Sequence, residues 1–304
     1  MKDFRKRWIT PADVDFYGFH GGYHDGQNAV DYYNDNLVIR QSLYKHKKTD
    51  FGLKYSDELN EKGYIKMPSF FSEEEKEILL RIRDHMNHLV DTNSNLKRRN
   101  VSMAMINQPL LNIPDLYKIL FNDKILEITT AFFGCMPALT SVAARKSFVS
   151  PTPADSNQIF HRDFNSLTKQ LKIAFYLHDV DEETGPFTYV EESNNKMPMG
   201  WWNGHYFPDE YIKKIYGKDK VKLLTANFGD LLIANTRGFH KGTKPTSKER
   251  LAVHACYMIH PELGGKGHQK ETPSEGWFKM RAEDYENLNS QQKPAADFLQ
   301  KIDE

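Results

Sequence analysis

The spacing of apolar residues along the chain changes near Pro137. Before that point apolar residues recur at helical spacing, and after it short apolar runs alternate with the period of β-strands. Helices are predicted at residues 72–90, where Ser72 and Glu75 form a capping box, and at about 115–121, 124–133 and 209–216. Strands are predicted at residues 138–149, 171–180, 231–234 and 251–259. Helices followed by strands predict an α+β fold in which the helices support a β-sandwich or jelly roll.

The sequence predicts one domain over residues 1–304, because no repeat, low-complexity segment or long linker marks a boundary. We expect an irregular N-terminal arm over 1–62, helical support over 63–136, a jelly-roll core over 137–262 and a C-terminal tail over 263–304. The arm is predicted to be irregular because it is rich in Gly, Tyr, Asp and His and has little periodicity. The tail is polar with a helical tendency, and it is expected to lie on the outside.

The balance of charge limits the partners of this chain. Its 41 basic and 41 acidic residues give no reason to expect a nucleic-acid or anionic-membrane partner, so a small-molecule substrate is favoured. No stretch approaches about 18 consecutive apolar residues, the length of a membrane span. Cys135 and Cys256 lie in apolar settings without a C-x-x-C motif, which favours reduced thiols. We therefore expect a cytoplasmic protein, with monomer and dimer both open.

Among the predicted strands lies the segment N-Q-I-F-H-R-D-F, residues 157–164. In an extended strand, side chains two residues apart point the same way, so His161 and Asp163 would share one face while Arg162 takes the other. One more imidazole would complete the two-histidine, one-carboxylate triad that holds Fe(II) and leaves coordination positions open. His240 is the candidate for this third ligand.

A His-x-Asp tripeptide is weak by itself, since about one is expected by chance among 12 histidines. A surface pair on an edge strand therefore stays open. A protein-kinase H-R-D loop does not fit, because Thr168 stands where its metal-binding asparagine belongs. The pair His20 and His24 is weaker, because two glycines disfavour a helix there. The pair His260 and Glu262 is weaker too, because a proline between them disfavours a central strand.

The second candidate segment is residues 226–257, which contains His240 between two glycines. Arg250 follows ten residues later, and the loop between them has a glycine, a proline and a serine, enough to turn the chain back toward the metal. The planar fork of an arginine suits a carboxylate, whereas a surface salt bridge, for instance with Glu249, is the alternative.

In their order and spacing these parts resemble the phytanoyl-CoA dioxygenase family. The resemblance rests on G-Y-I-K-M-P-S-F-F-S before the first long helix, H-R-D, T-G-P-F-T-Y-V-E-E-S-N, G-D-L-L-I, H-K-G and the arginine ten residues after that histidine. It covers about residues 63–260. It implies a non-haem Fe(II)- and 2-oxoglutarate-dependent oxygenase built on a double-stranded β-helix, a jelly roll with N-terminal helices packed on one sheet.

By this resemblance, the metal ligands and catalytic residues would be His161, Asp163 and His240. Arg250 would bind the distal carboxylate of 2-oxoglutarate, with Fe(II) and O2 completing the set of cofactors. The family often has P-G-S-H where residues 191–194 read E-E-S-N, and Ser or Thr where Ala252 stands. Related halogenases replace the carboxylate ligand by a small residue, so the presence of Asp163 disfavours halogenation.

Strand alternation adds further candidates for the co-substrate or substrate. Lys172 and Tyr176 share a face of one predicted strand, and Arg145 and Ser147 share a face of the preceding one. If these faces look into the barrel, the four side chains would line it. Ordinary polar residues at a barrel mouth are the alternative. The aromatic run W-W-N-G-H-Y-F, residues 201–207, would wall the pocket or simply pack.

The expected reaction is oxidation of an unactivated C–H bond in a small, carboxylate-bearing metabolite, with release of succinate and CO2. Hydroxylation is the default, while desaturation and oxidative cyclisation stay open. Lys172, Arg145 and the K-R-R at 97–99 are available for an acidic substrate, and specialised or natural-product metabolism is favoured over lipid degradation. The alternatives are an acyl-CoA hydroxylase, a cupin-like Zn(II) or Mn(II) protein without 2-oxoglutarate, and an inactive interaction module. The arginine after His240 disfavours the second, and the intact triad disfavours the third.

Overall fold

The computed structural model describes residues 8–9, 26–43, 49–154, 156–163, 169–198, 206–259 and 278–303. Within these ranges the helices are α1 (Gly26–Leu43), α2 (Asp50–Lys62), α3 (Glu73–Asp91), α4 (Pro109–Asn112), α5 (Leu116–Leu120), α6 (Asp123–Phe133), α7 (Asp209–Tyr216) and α8 (Ala282–Glu286). The strands are β1 (Trp8–Ile9), β2 (Tyr64–Met67), β3 (Leu96–Arg99), β4 (Met103–Ile106), β5 (Ala138–Ser147), β6 (Leu171–Tyr176), β7 (Phe187–Val190), β8 (Met197–Pro198), β9 (Val221–Leu224), β10 (Leu231–Asn235), β11 (His240–Gly242), β12 (Arg250–Met258), β13 (Lys279–Arg281) and β14 (Gln300–Ile302). None of these helices combines the length and the hydropathy of a membrane span.

Two antiparallel sheets form the jelly roll. The large sheet has seven strands in the order β2-β10-β6-β12-β5-β4-β3, and the small sheet has the order β11-β7-β9. A bridge between His161 and His240 adds the segment before β6 to the small sheet. The predicted α+β jelly roll is confirmed.

The large sheet has two different faces, because successive side chains alternate along each strand. Ile173 and Val253 point outward into the main hydrophobic core, which they share with the helices. Ala174 and Ala252 point inward and pack with Tyr189 of the small sheet. Residues paired across an antiparallel ladder share a face, so this register decides which side chains line the interior of the barrel.

The strongest periodic segments match their predictions. The capping box at the start of α3 is formed in both directions, with Glu75 N donating to Ser72 Oγ and Ser72 N donating to Glu75 Oε2. Helices α5, α6 and α7 and strands β5, β6, β10 and β12 also lie where the pattern placed them. These elements bury the apolar face that their periodicity predicts.

The prediction of an irregular arm over 1–62 is wrong where the structure describes it, since α1 and α2 are helices. The Thr49 side chain accepts a hydrogen bond from Gly52 N at 3.0 Å, and Gly63 ends α2 in the left-handed conformation, with φ of 86°. Gly52 lowers the local helix propensity, which hid the helix in the sequence. A Cβ at Gly52 would lie 2.8 Å from Glu127 O of α6, so the glycine permits close packing of these two helices.

Two other segment assignments need correction. The region 63–136 is not only helical support, because it supplies β2 at one edge of the large sheet and β3 and β4 at the other. The C-terminal segment does not lie only on the outside either. Met280, Leu288 and Leu299 are buried in the main core. These few apolar side chains are too widely spaced to form a period, so only tertiary contact reveals them.

We predict that Gly52→Ala destabilises the protein, although a helical Gly→Ala change ordinarily stabilises by about 0.5–1 kcal/mol. The added methyl group would meet Glu127 O and the Ala131 side chain, so α2 must move away from α6. We expect urea unfolding to show a net loss of about 1–3 kcal/mol. Asp57→Ala, on the exposed side of the same helix, is the control and should be neutral or slightly stabilising. A stabilised Gly52→Ala variant would contradict the close packing.

Candidate metal centre

Three side chains converge where the two sheets meet. His161 and His240 face each other through two backbone hydrogen bonds, His161 N to His240 O at 3.0 Å and His240 N to His161 O at 2.9 Å. Asp163 N donates to Thr236 O at 3.2 Å, so the chain two residues after His161 is held against the segment that precedes His240. One potential ligand atom from each of the three side chains lies within 4.8 Å of the others. The predicted candidates therefore come together.

Backbone carbonyls set the orientation of both imidazole rings. His161 Nδ1 lies 2.8 Å from Ile159 O, and His240 Nδ1 lies 2.9 Å from Gly238 O. A carbonyl oxygen only accepts, so each Nδ1 carries the proton and donates it. Each Nε2 is then left with a free lone pair. These lone pairs face Asp163 Oδ1, at 3.9 Å from His161 and 3.6 Å from His240.

The protonation states also suit a cation. Burial and the neighbouring His240 lower the pKa of His161 to about 3, so this imidazole is neutral at neutral pH. Burial by itself would raise the pKa of Asp163. The neighbouring Lys172 ammonium outweighs burial and holds the pKa of this carboxyl well below its usual range. The site thus presents a neutral imidazole and a carboxylate in the forms that bind metals.

The second oxygen of Asp163 is already held. Lys172 Nζ donates to Asp163 Oδ2 at 2.7 Å, and Gln170 Nε2 donates to the same oxygen at 3.1 Å. Oδ1 is left facing the histidines. Lys172 was predicted to meet the co-substrate or substrate, and the structure places its ammonium against this candidate ligand. Such outer contacts orient a metal ligand.

The donor set fits a divalent metal. His240 Nε2 is fully buried and has no hydrogen-bond partner among the described residues. An unsatisfied buried nitrogen costs about 1–3 kcal/mol, a cost that a bound cation would remove. Two imidazole nitrogens and one carboxylate oxygen match the triad that Fe(II) prefers, and three protein ligands leave positions free. His161, Asp163 and His240 would hold the ion.

A second group of polar side chains lies beside this triad on the inner face of the large sheet. Arg250 is buried, with Nη1 donating to Thr243 O at 2.8 Å and Nη2 lying 3.4 Å from Ser147 Oγ. Tyr176 Oη accepts from Phe187 N at 2.8 Å, so its own proton is free to be donated to a ligand. Burial lowers the pKa of Arg250 and raises that of Tyr176. The guanidinium remains a cation at neutral pH.

The surface salt-bridge alternative for Arg250 is wrong. Glu249 pairs with Lys146 at 3.2 Å on the outer side of the sheet. Within the described part of the chain, no carboxylate forms an ion pair with Arg250. The positive charge of its guanidinium is therefore not balanced by a described carboxylate.

Two neighbours of the triad were missed by sequence reasoning. Gln170 precedes β6 directly, and nothing in its local sequence marks it as a contact of Asp163. His254 lies on the inner face of β12, four residues beyond Arg250. Burial, together with Arg145, lowers the pKa of His254 well below its usual range, so the side chain is neutral. Because side chains two residues apart on a strand share a face, Arg250, Ala252 and His254 point the same way, and this alternation would have identified His254 from the sequence.

Other candidates lie apart or outside the described residues. The K-R-R segment is on β3, the outer edge strand, where the Arg99 guanidinium contacts Val90 O and the Phe148 ring. The aromatic run is described only at its end. There the Tyr206 ring lies 6.1 Å from that of His161, and Phe207 packs on Phe239. Residues 20–24, 201–205 and 260–262 fall outside the described ranges.

The family model of phytanoyl-CoA dioxygenase (PhyH) matches residues 59–252, well over half of the chain. The chain therefore belongs to the phytanoyl-CoA dioxygenase family of non-haem Fe(II)- and 2-oxoglutarate-dependent oxygenases. Its cofactors are Fe(II), 2-oxoglutarate and O2. A search of curated protein sequences found no significant match.

Solved structures share the fold at low sequence identity. The epimerase SnoN, in complex with Fe3+, α-ketoglutarate and nogalamycin RO, is 15% identical with a TM-score of 0.52, over 71% of this chain and 91% of SnoN. HygX from Streptomyces hygroscopicus, with nickel and 2-oxoglutarate bound, is 14% identical with a TM-score of 0.52, over 69% and 87%. EctD from S. alaskensis, with bound Fe, is 14% identical with a TM-score of 0.54, over 85% and 91%.

We predict that Gly238→Ala weakens metal binding. A Cβ at Gly238 would lie 2.0 Å from Tyr189 Oη, which donates to Asn235 O and cannot yield easily. The displaced Gly238 carbonyl would lose its hold on His240 Nδ1. Loss of such a contact typically costs 10–100-fold in metal affinity, so we expect at least about tenfold weaker Co(II) binding by absorbance titration.

The control for Gly238→Ala is Gly134→Ala, which strains the left-handed residue that ends α6, where φ is 75°. This change should lower the melting temperature without altering the affinity for Co(II). Equal metal affinities in all three proteins would show that Gly238 does not position His240.

Proposed function

We propose that His161, Asp163 and His240 are the Fe(II) ligands and catalytic residues of an oxygenase that oxidises an unactivated C–H bond in a small, carboxylate-bearing metabolite. The observation that carries this proposal is the cluster of three ligand atoms within 4.8 Å, with one buried nitrogen lacking any described hydrogen-bond partner. Succinate and CO2 would be released, and a single domain would hold the whole site. Hydroxylation is the default reaction.

Different groups around the triad orient the carboxylate and the two imidazoles. When bound, Fe(II) supplies the activation of O2, with 2-oxoglutarate as the reductant. Lys172 and Gln170 hold Asp163 so that one oxygen stays directed at the metal position. The Gly238 and Ile159 carbonyls keep both imidazoles in the ligand tautomer. Side-chain contacts to Asp163 and backbone contacts to the two histidines thus fix the ligand geometry before metal or substrate binds.

Arg250, Ser147 and Tyr176 form the proposed site for the distal carboxylate of 2-oxoglutarate. Arg250 offers a charged planar donor, and Ser147 and Tyr176 offer hydroxyl groups on the same inner face. Because Gly242 has no side chain, β11 can pass close to the Arg250 guanidinium: a Cβ there would lie 3.2 Å from Nη2. Lys172, already paired with Asp163, would act on the co-substrate only through the metal ligand.

A role in specialised metabolism is supported by the structural neighbours. SnoN is described as a non-haem α-ketoglutarate-dependent epimerase from nogalamycin biosynthesis, and it shares this fold at a TM-score of 0.52. Because the same scaffold supports an epimerase, desaturation and ring closure stay open beside hydroxylation. An acyl-CoA hydroxylase is the second candidate, since the family model carries that activity in its description.

We predict a visible charge-transfer band when 2-oxoglutarate is mixed anaerobically with the Fe(II)-loaded protein. His161→Ala and His240→Ala should each abolish the band, because each removes one of the proposed ligands. His88→Ala, on the exposed side of α3, is the matched control and should keep the band. Full absorbance in either triad variant would overturn the ligand assignment.

We predict that Arg250→Ala raises the Michaelis constant for 2-oxoglutarate by about tenfold or more, because a charge-assisted hydrogen bond contributes roughly 1.5–3 kcal/mol. Arg250→Lys should recover only part of the affinity, since a lysine lacks the planar fork. Arg81→Ala removes an exposed arginine that pairs with Asp115, and it should leave the constant unchanged. The same constant in Arg250→Ala as in wild type would contradict a co-substrate role.

The substrate class is tested by succinate release from 2-oxoglutarate with Fe(II) under air. Amino-acid-derived acids and acyl-CoA thioesters form the two arms, and product masses are read in parallel. A gain of one oxygen identifies hydroxylation, and a loss of two hydrogens identifies desaturation or cyclisation. Turnover only with acyl-CoA would contradict the small-acid proposal.

A further inference from the structure

The inner face of β5 carries an arginine that the site described so far does not use. Arg145 is paired in register with Ala252 of β12, so it shares the inner face with Arg250. Its Nε is fully buried and has no hydrogen-bond partner, and no carboxylate in the described part of the chain forms an ion pair with it. A buried guanidinium nitrogen without a hydrogen-bond partner is rare and costly.

The guanidinium of Arg145 nevertheless stays charged. Burial and the neighbouring Arg250 lower its pKa to about 10, which is still far above neutral pH. Its partner in register, Ala252, lies on β12 between Arg250 and His254, so Arg145 faces the same interior as these two side chains. An unpaired guanidinium in this position could bind an anion from outside the protein through charge-assisted hydrogen bonds.

Cations exceed anions on this inner face. Arg145, Lys172 and Arg250 contribute three positive charges, and Asp163 contributes the one carboxylate among the described groups around them, a difference of 3 − 1 = 2. Fe(II) and doubly ionised 2-oxoglutarate add charges that cancel. The positive excess therefore remains after both have bound.

Two of the three cations have other roles. Lys172 donates to Asp163 at 2.7 Å, and the proposed function gives Arg250 to the distal carboxylate of 2-oxoglutarate. Arg145 is the cation left over. Along a strand it is two residues from Ser147, the partner of Arg250, which is roughly 7 Å. One carboxylate held by Arg250 and Ser147 therefore need not occupy Arg145.

The residues beside Arg145 do not pair with its guanidinium. Across the ladders its partners in register are Ala252 of β12 and Met105 of β4. Neither of these side chains carries a negative charge. The neutral His254 stands between Ala143 and Ala174 in register.

We propose that Arg145 binds the carboxylate of the primary substrate. This inference rests on the proposed function and names the residue that recognises the acid. A guanidinium holds a carboxylate through two parallel hydrogen bonds, which would orient a small acid between Arg145 and the metal triad. A monoanion would pair with Arg145 and lower the positive excess on this face from two to one.

The first test compares melting temperatures of the metal-free protein. Arg145→Met keeps much of the volume and removes a half-buried cation whose buried Nε has no hydrogen-bond partner, so the variant should melt at a higher temperature than wild type. Lys146→Met is the control on the outer face of the same strand, where it loses an ion pair with Glu249 and a hydrogen bond to Asn87. A fall in melting temperature for Arg145→Met would mean that Arg145 supports the fold and would overturn the proposal.

The second test uses acetate as the probe, titrated into protein loaded with Mn(II) and N-oxalylglycine. Acetate should raise the melting temperature of wild type and of Lys146→Met. Its affinity should fall at least about tenfold in Arg145→Met and partly recover in Arg145→Lys. Equal acetate responses in wild type and Arg145→Met, or no response in either, would overturn the proposal.

A crystal of the same complex soaked in bromide locates the anion. Anomalous density beside Arg145 with N-oxalylglycine held at Arg250 would support the substrate site. N-oxalylglycine bound to Arg145, or no bromide there, would overturn it. If the metal fails to bind, acetate titration of the metal-free protein still compares wild type with Arg145→Met. Failure to bind metal would contradict the proposed function, whereas equal acetate responses would contradict only the role of Arg145.

Discussion

The candidate centre depends on the pair of backbone hydrogen bonds between His161 and His240. These bonds join two segments that are 79 residues apart in the chain, and they bring the imidazole rings to 4.4 Å between centroids. Each ring is then locked by a carbonyl two residues before it. Because the backbone itself holds both rings, the site needs no large movement to accept a cation.

The interior of the barrel carries an electrostatic cost that the fold tolerates. Arg145 and Arg250 share one face, Arg250 is buried and Arg145 is half-buried, and neither has a carboxylate partner among the described residues. The large core between the outer face of the sheet and the helices offsets that cost, since it holds most of the buried apolar side chains. Stability and recognition are thus placed on opposite faces of one sheet, as expected where a binding site retains unpaired charge.

Local pattern predicted much of this arrangement and missed the rest for physical reasons. The spacing of His161 and Asp163, and the ten residues from His240 to Arg250, follow from strand alternation and turn-forming residues. The contacts of Asp163 with Lys172 and Gln170 depend on how the segment before β6 packs against β6 itself. The spacing of residues along the chain does not reveal this packing. Helix α2 was missed because Gly52 weakens its propensity while improving its packing on α6. The buried C-terminal segment was missed because its apolar residues are few.

The amino-acid sequence by itself determined the strongly periodic helices and strands, the candidate triad and the candidate arginine, because alternation and capping act over a few residues. The tertiary structure alone decided which cations are paired. The packing of β6 against the segment that holds Asp163 pairs Lys172 with that carboxylate, whereas the register of β5 places Arg145 between Ala252 and Met105. Charge pairing acts across space between strands distant in sequence, so it follows from register and not from composition.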